Sequence, residues 1–315
     1  MLSPRAQLAR MVYGSSRLQQ IRQMSQARSF PVLLRSIQWL IKGLLQPEAE
    51  LVTRHGRFRV STLDTAVARD LYISGEFEEA VVARAFGVLE QRGLLREGKV
   101  DVLLDVGANI GVTCISLLHM GLIRRAVAME PDTQNHRLLA ANIKSNDLAG
   151  NIIDIRTAVS DFEGTVELEL SVTNHGDHRI RSSGTCTTRD VFAESARSVT
   201  RVPVRTLDGI MSALPPDYRS SSTLLWMDVQ GHESHVIDGA PALLSGGIPA
   251  VMELWPYGME RAGITLRELH QRLARYWSGV VNLNGDARVL SLQEWQTIAT
   301  TLTRPGDYTN LLLLP

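Results

Sequence analysis

Leu103–Thr113, LLDVGANIGVT, constrains the fold of this chain more than any other stretch. An apolar run ends in Asp105, Gly107 and Gly111 follow with Asn109 between them, and a helical pattern begins. A continuous apolar run before such a turn reads as a strand buried on both faces. It needs parallel neighbours and covering helices. The rest of the chain offers them. RAVAME (125–130), NIIDIRTAVSD (151–161), TLLWMDV (223–229) and IPAVMELW (248–255) read as further strands, and NLLLLP closes the chain as another. GVTCISLLHMG (111–121), DTQNHRLLAANIKSND (132–147), ESHVIDGAPALL (233–244) and TLRELHQRLARYW (265–277) read as the helices between and after them. GTVELELSV (164–172) alternates like an edge strand or hairpin arm. The expected fold is α/β: a Rossmann-like, doubly wound, mostly parallel seven-stranded sheet with helices on both faces. An N-terminal helical extension precedes it.

In an open parallel sheet, ligands sit outside the carboxyl ends of the strands, so the turn after 100–107 is the expected cofactor seat. A dinucleotide fold would show G-x-G-x-x-G there, and its second glycine is missing. A G-x-x-x-x-G-K-[ST] phosphate loop is absent too, and Asp105 would repel a phosphate. The same carboxylate suits a cation. S-adenosylmethionine has no phosphate and carries a sulfonium and an ammonium. Glu130, at the end of the second strand, can accept two ribose hydroxyls. Ser160 and Asp161, at the end of the third, are placed to take the adenine amino group. Asn109 in the turn and Pro131 after Glu130 complete the expected cofactor set.

Across these positions the chain resembles the FkbM-type family of class I S-adenosylmethionine-dependent methyltransferases. The resemblance is carried in order by LLDVGANIGVTCISL, MEPDTQNHRLLAANIKSND, AVSDFEGTVEL, VPVRTLDGI, LLWMDVQGHESHVIDGAPALL and IPAVMELWP, over roughly residues 75–260. It implies S-adenosylmethionine as cofactor and a hydroxyl acceptor. The family's usual fourth block is Asp-Val-Glu-Gly-x-Glu. This chain has Gln230 at the position of its first glutamate. The expected organisation is a basic, partly amphipathic extension (1–50), a strand and helix cap region (51–99) and a class I methyltransferase domain (100–315).

Methyl transfer to a hydroxyl needs the acceptor positioned and a base to take its proton. Asp228 and Glu253 end consecutive strands and should face the methyl group, with Asp228 as base or orienting residue. The same pair of hard oxygen ligands suits a divalent ion such as Mg2+, which is the competing reading for Asp228 and Glu253. Asp228 and Glu233 could instead cap the helix that follows. His232 stands beside them as a further proton acceptor, or as a solvated first-turn residue. His175 and His178 lie in a polar stretch, 171–200, expected to be a lid or binding loop. Cys114 reads as a small buried hydrophobe, Trp226 and Met227 as core, and Trp255 as a platform for a sugar or lipid.

Charge bears on partners. Seven basic residues and no acidic one fall in residues 1–47, which leaves 26 basic and 33 acidic residues beyond them. An acidic body argues against nucleic acid as partner. The acceptor expected is a small molecule, glycan or glycolipid. For the basic segment three readings stay open: a surface helix or extension, an amphipathic stretch resting on an anionic membrane, or a transit peptide. Two cysteines make no disulfide framework, and a cytoplasmic protein fits, with peripheral contact at the inner membrane surface under the second reading. A silent S-adenosylmethionine-binding scaffold and a nicotinamide-dependent oxidoreductase are the alternative functions.

Overall fold

The computed structural model describes residues 19–21, 29–76, 78–181 and 190–315. A helix, Phe30–Leu45, leads into a hairpin of β1 (Glu48–Thr53) and β2 (Gly56–Ser61). Helices Val67–Ser74 and Glu79–Gln91 follow, then β3 (Val100–Val106), β4 (Ile123–Met129) and β5 (Ile152–Ile155), each with a helix after the first two. Next come the short β6 (Ala158–Val159), β7 (Gly164–Leu170), β8 (Arg179–Ile180) and β9 (Ser198–Arg205). The remaining strands are β10 (Thr223–Met227), β11 (Ala250–Leu254), β12 (Gly279–Asn282), β13 (Val289–Ser291) and β14 (Thr309–Leu314).

The main sheet is mixed and eight-stranded, in the order β13-β12-β14-β11-β10-β3-β4-β5. From β11 to β5 neighbours run parallel, while β14, β12 and β13 pair antiparallel at the other edge. The expected count of seven is corrected to eight. β7 leaves for a separate four-stranded sheet, β6-β9-β7-β8, and the unforeseen β12 and β13 join beside β14. The third expected strand also splits. β5 stays in the main sheet, and the chain after Ile155 crosses to pair β6 with β9. The stretch expected to be one polar loop carries β8 and the start of β9 at its ends, with a 3-10 turn at Glu194–Ala196.

Each face of the sheet has its own core, as a strand period of two requires. Val102, Leu104 and Val106 face one core with Leu225 and Met227. Leu103, Leu224 and Trp226 face the other, shared with Trp39, Phe58 and Val60 from the N-terminal helix and hairpin. Burial of each leucine contributes roughly 1.5–3 kcal/mol. Asn142 and Asn146 bind the hairpin to the body. The Asn142 side chain accepts from Arg59 N–H at 2.6 Å and donates to the Arg59 carbonyl at 3.2 Å. Asn146 does the same for Arg57, at 2.9 and 2.7 Å. Two side-chain amides thus satisfy backbone groups that an edge strand would leave open. Among the described residues, no helix is long and apolar enough to cross a membrane.

Candidate active site

β3 lies between β10 and β4, where the strand order turns back, and a cavity of about 280 Å³ opens at the carboxyl ends of β3, β10 and β11. A smaller hollow of about 50 Å³ adjoins it at the end of β4, and the two share Gly107, Asn109, Gly176 and Asp228. The turn after β3 is what brings them together. The N–H groups of Gly107 and Ala108 both donate to the Met129 carbonyl at 3.0 Å. Gly107 has φ +87°, and a Cβ there would stand 1.9 Å from the Asp228 carbonyl oxygen. No other residue fits. Gly111, at φ +86°, starts the helix Val112–His119, and a Cβ on it would meet Leu139 Cδ1 at 2.6 Å.

Glu130 lines the smaller hollow. Its Oε2 accepts from Asn109 N–H at 2.9 Å and its Oε1 from Asp132 N–H at 2.8 Å, so the carboxylate is fixed in orientation. Each oxygen keeps a lone pair for a further donor. Burial raises its pKa to about 8, although those two N–H groups work against the rise. Pro131 and Val159 also line this hollow. Asp105 lines the larger cavity. Burial pushes its carboxyl up to about 7, and its Oδ2 has no hydrogen-bond partner.

Asp228 stands where both hollows meet. Solvent reaches its side chain, yet the protein around it pushes its pKa up to about 6. Gln230, in a left-handed backbone at φ 57°, turns its amide toward two carboxylates. Its Nε2 donates to Asp228 Oδ1 at 2.6 Å and to Glu253 Oε1 at 3.2 Å. Burial raises Glu253 well above the ordinary range, and the charge of Asp228 adds to this. The residue that departs from the family block therefore supplies the donor that lets two acids lie side by side. Among the described residues, no group of three or more His, Cys, Asp or Glu side chains is arranged to hold a metal. The Asp228–Glu253 pair carries an amide between its oxygens, so the Mg2+ reading finds no support in this geometry.

Three cavity residues carry no sequence signal. Glu78 is pushed up to about 7 by burial and by Asp228, and accepts from Asn310 Nδ2 at 3.2 Å. Tyr308, at the rim, is raised to about 12 by burial and then by Glu253, Glu78 and Asp228. Asp177 lies inside the polar stretch already singled out, but its role is visible only in the fold. It pairs with Arg179, whose Nη2 reaches Asp177 Oδ2 at 2.8 Å. The Arg179 guanidinium sits 4.4 Å over the Trp255 ring, so one face of the expected platform is already covered.

Three expected site residues lie elsewhere. Ser160, Asp161 and His232 line neither hollow. Ser160 Oγ donates to Asp161 Oδ1 and meets His232 Nε2, both at 2.9 Å, and His232 stacks on His235 with ring centres 4.2 Å apart. The cause is the split of the third strand: once β6 joins β9, residues 160–161 face the helix Glu233–Asp238. Burial lowers the His232 pKa to about 3, so it stays neutral near pH 7. The smaller hollow is instead closed by Thr157, Ala158 and Val159. His175 and His178 line that hollow, but His178 Nδ1 accepts from Ser171 N–H at 3.0 Å and burial lowers its pKa to about 3. Glu233 accepts from Val229 N–H at 3.1 Å and so serves the loop backbone before the helix rather than the helix's own first turn. Cys114 is buried with its pKa raised by burial, hence a thiol.

A doubly wound α/β sheet with a glycine turn and an acid-lined cavity at its carboxyl edge is a Rossmann-like cofactor-binding architecture. The Methyltransferase FkbM domain matches residues 105–275, and the chain belongs to that methyltransferase family. None of the curated proteins compared with the chain matches it. Among solved structures it is similar to the methyltransferase FkbM of Methylobacillus flagellatus KT: 16% identity, TM-score 0.42, covering 78% of this chain and 52% of that one. A protein in the NADB-Rossmann superfamily from Streptococcus agalactiae shares 12% identity at TM-score 0.39, with 76% and 68% covered. The M. jannaschii tRNA m1G37 methyltransferase shares 10% at 0.37, with 85% and 54% covered. At such values these likenesses identify neither cofactor nor acceptor.

Proposed function

We propose that the protein uses S-adenosylmethionine to methylate a hydroxyl of a glycan, glycolipid or small metabolite. The observation that carries this reading is Asp228: an accessible carboxylate with a pKa of about 6, at the junction of the two hollows. The residues present fit the cofactor. Gly107 lets the turn pack directly on the Asp228 carbonyl and border both hollows as a cradle without a side chain, and the unpartnered Asp105 Oδ2 answers a positive charge. The fixed Glu130 oxygens keep lone pairs for two ribose hydroxyls. When bound, S-adenosylmethionine supplies an electrophilic methyl on sulfur.

Asp228 is ionised above about pH 6, and Gln230 holds its Oδ1, so its other oxygen is free to take the acceptor's hydroxyl proton. Burial, and then the charge of Asp228, hold the Glu253 carboxyl well above the ordinary range, which favours its protonated form. The acceptor is read as neutral. The charge of Asp228, with Glu78 on the same wall, would repel a phosphate or carboxylate, which also weighs against nucleic acid. Phe192 and Tyr308 add ring surface for the apolar face of a sugar.

Isothermal titration of the folded protein tests the cofactor: heat is expected with both S-adenosylmethionine and its demethylated product. Silence with both would end the proposal. Incubation with cell extracts should then yield products heavier by one methylene, in the neutral glycan or lipid fraction. Methylated RNA in their place would overturn the acceptor reading.

A further inference from the structure

The helix Phe30–Leu45 is apolar on two sides. Its inner face buries Ser36, Trp39 and Gly43. Trp39 meets Tyr72 with ring centres 5.0 Å apart, Arg69 Nη2 reaches Ser36 Oγ at 3.3 Å, and the Arg35 guanidinium donates to the Ile73 carbonyl. The helix is thus fastened to Val67–Ser74 in a defined rotation. Its outward face should then be polar. Instead Phe30 is 75% exposed, Leu34 45%, Ile41 50%, Leu44 68% and Leu45 81%. At about 100° per residue these five fall within one arc of roughly 100°. Arg35 and Lys42 lie along one margin of that arc.

We propose that this outward stripe docks on an anionic lipid surface. An apolar stripe of this length needs a cover, and two covers suit a surface helix: a second copy or a membrane. Charge chooses between them. Arg35 and Lys42 flank the stripe and the helix carries no acidic residue, so a two-fold contact through this face would set like charges against each other. Anionic headgroups neutralise the same charge while their acyl boundary takes the apolar stripe. The helix beneath, Val67–Ser74, contributes Val67 and Asp70 to the wall of the larger cavity. Docking therefore sets the larger cavity within two helix layers of the lipid surface. On the functional reading above, that favours a lipid-linked hydroxyl as acceptor; the docking itself does not depend on that reading.

The test is co-sedimentation of the full chain with vesicles of phosphatidylcholine alone and of phosphatidylcholine with phosphatidylglycerol. Binding at least about tenfold stronger to the anionic vesicles is expected, weakening as salt screens it. A double variant, Ile41→Glu with Leu44→Glu, should lose most of that binding while its melting curve and its heat with S-adenosylmethionine stay as in the parent. Lys42→Gln should lose part of it, on anionic vesicles only. A Phe30→Trp variant reads insertion directly, as a blue shift of the added emission when anionic vesicles are present. Unchanged emission together with equal sedimentation on both vesicles would overturn the proposal. So would a dimer in sedimentation velocity that Ile41→Glu dissolves, because a second copy would then be the cover.

Discussion

Replacing Asp228 by Asn changes one oxygen for an amide at the point where both hollows meet. Two effects of opposite sign should follow. The base is lost, and general-base catalysis is worth about 10²- to 10⁴-fold, so turnover should fall by that factor. The fold should meanwhile gain. The Asp228 carboxyl is raised from 3.8 to about 6, roughly two pKa units, because desolvation by the surrounding protein, and then the charge of Asp177, oppose its ionisation. At about 1.36 kcal/mol per unit this approaches 3 kcal/mol, and solvent access to the side chain cuts it to about 1 kcal/mol. The sign is fixed by the direction of the shift. An acid whose folded pKa is raised costs nothing below its unfolded pKa and destabilises the fold as pH climbs past the folded value. The variant should therefore melt a few degrees higher at pH 8 and equally at pH 4. Its rate should also lack the parent's acidic limb near pH 6. The assay pairs methyl transfer across pH 5–9 with melts at pH 4 and 8. A variant that keeps more than a tenth of the parent rate with an unchanged pH profile refutes the base. One that melts lower at pH 8 refutes the crowded-carboxylate account.

Glu130→Gln is the nearest shape match and still a severe change, because both carboxylate oxygens accept a backbone N–H. The new NH2 would face one of those donors and leave it unpaired at about 1–3 kcal/mol, so titration calorimetry should show cofactor affinity down by at least tenfold. Gly107→Ala drives a Cβ into the Asp228 carbonyl, so both the cofactor's heat and the melting temperature should fall. Retained binding would mean that the turn is not the cradle described. Gln230→Leu removes the shared donor of Asp228 and Glu253, and the acidic limb of the rate profile should move upward; a profile that does not move leaves Gln230 without a role in holding the pair. Without cofactor, the parent should lose stability from about pH 5 to pH 8 as Asp228, Asp105, Glu78 and Glu130 ionise, with raised values of about 6, 7, 7 and 8, which thermal melts across that window will read.

The strands that build the proposed cofactor seat were legible because their signal is local. A run such as VDVLLDVG must be buried on both faces, and a following G-x-x-x-G admits few turns, so Asp105, Gly107, Gly111 and Glu130 could be placed from spacing alone. The same spacing misplaced Ser160 and Asp161. A strand break at Ile155 costs only a few hydrogen bonds in the chain, yet it sends the next residues to another sheet. No local pattern records which sheet an arriving pair such as Ala158–Val159 will join, since that depends on β9, some forty residues later.

Sequence by itself determined the parallel sheet, its glycine turn and the carboxylates at the ends of β3, β4, β10 and β11, because each is written within a dozen neighbouring residues. Tertiary structure decided which acids share one cavity. Glu78 reaches it from before the sheet begins and is held there by Asn310, 232 residues away, while Tyr308 arrives from the last strand's approach. The raised pKa values, and the amide of Gln230 between two acids, follow from that convergence. Desolvation and charge proximity are properties of distances in space, which a chain acquires only when it has folded.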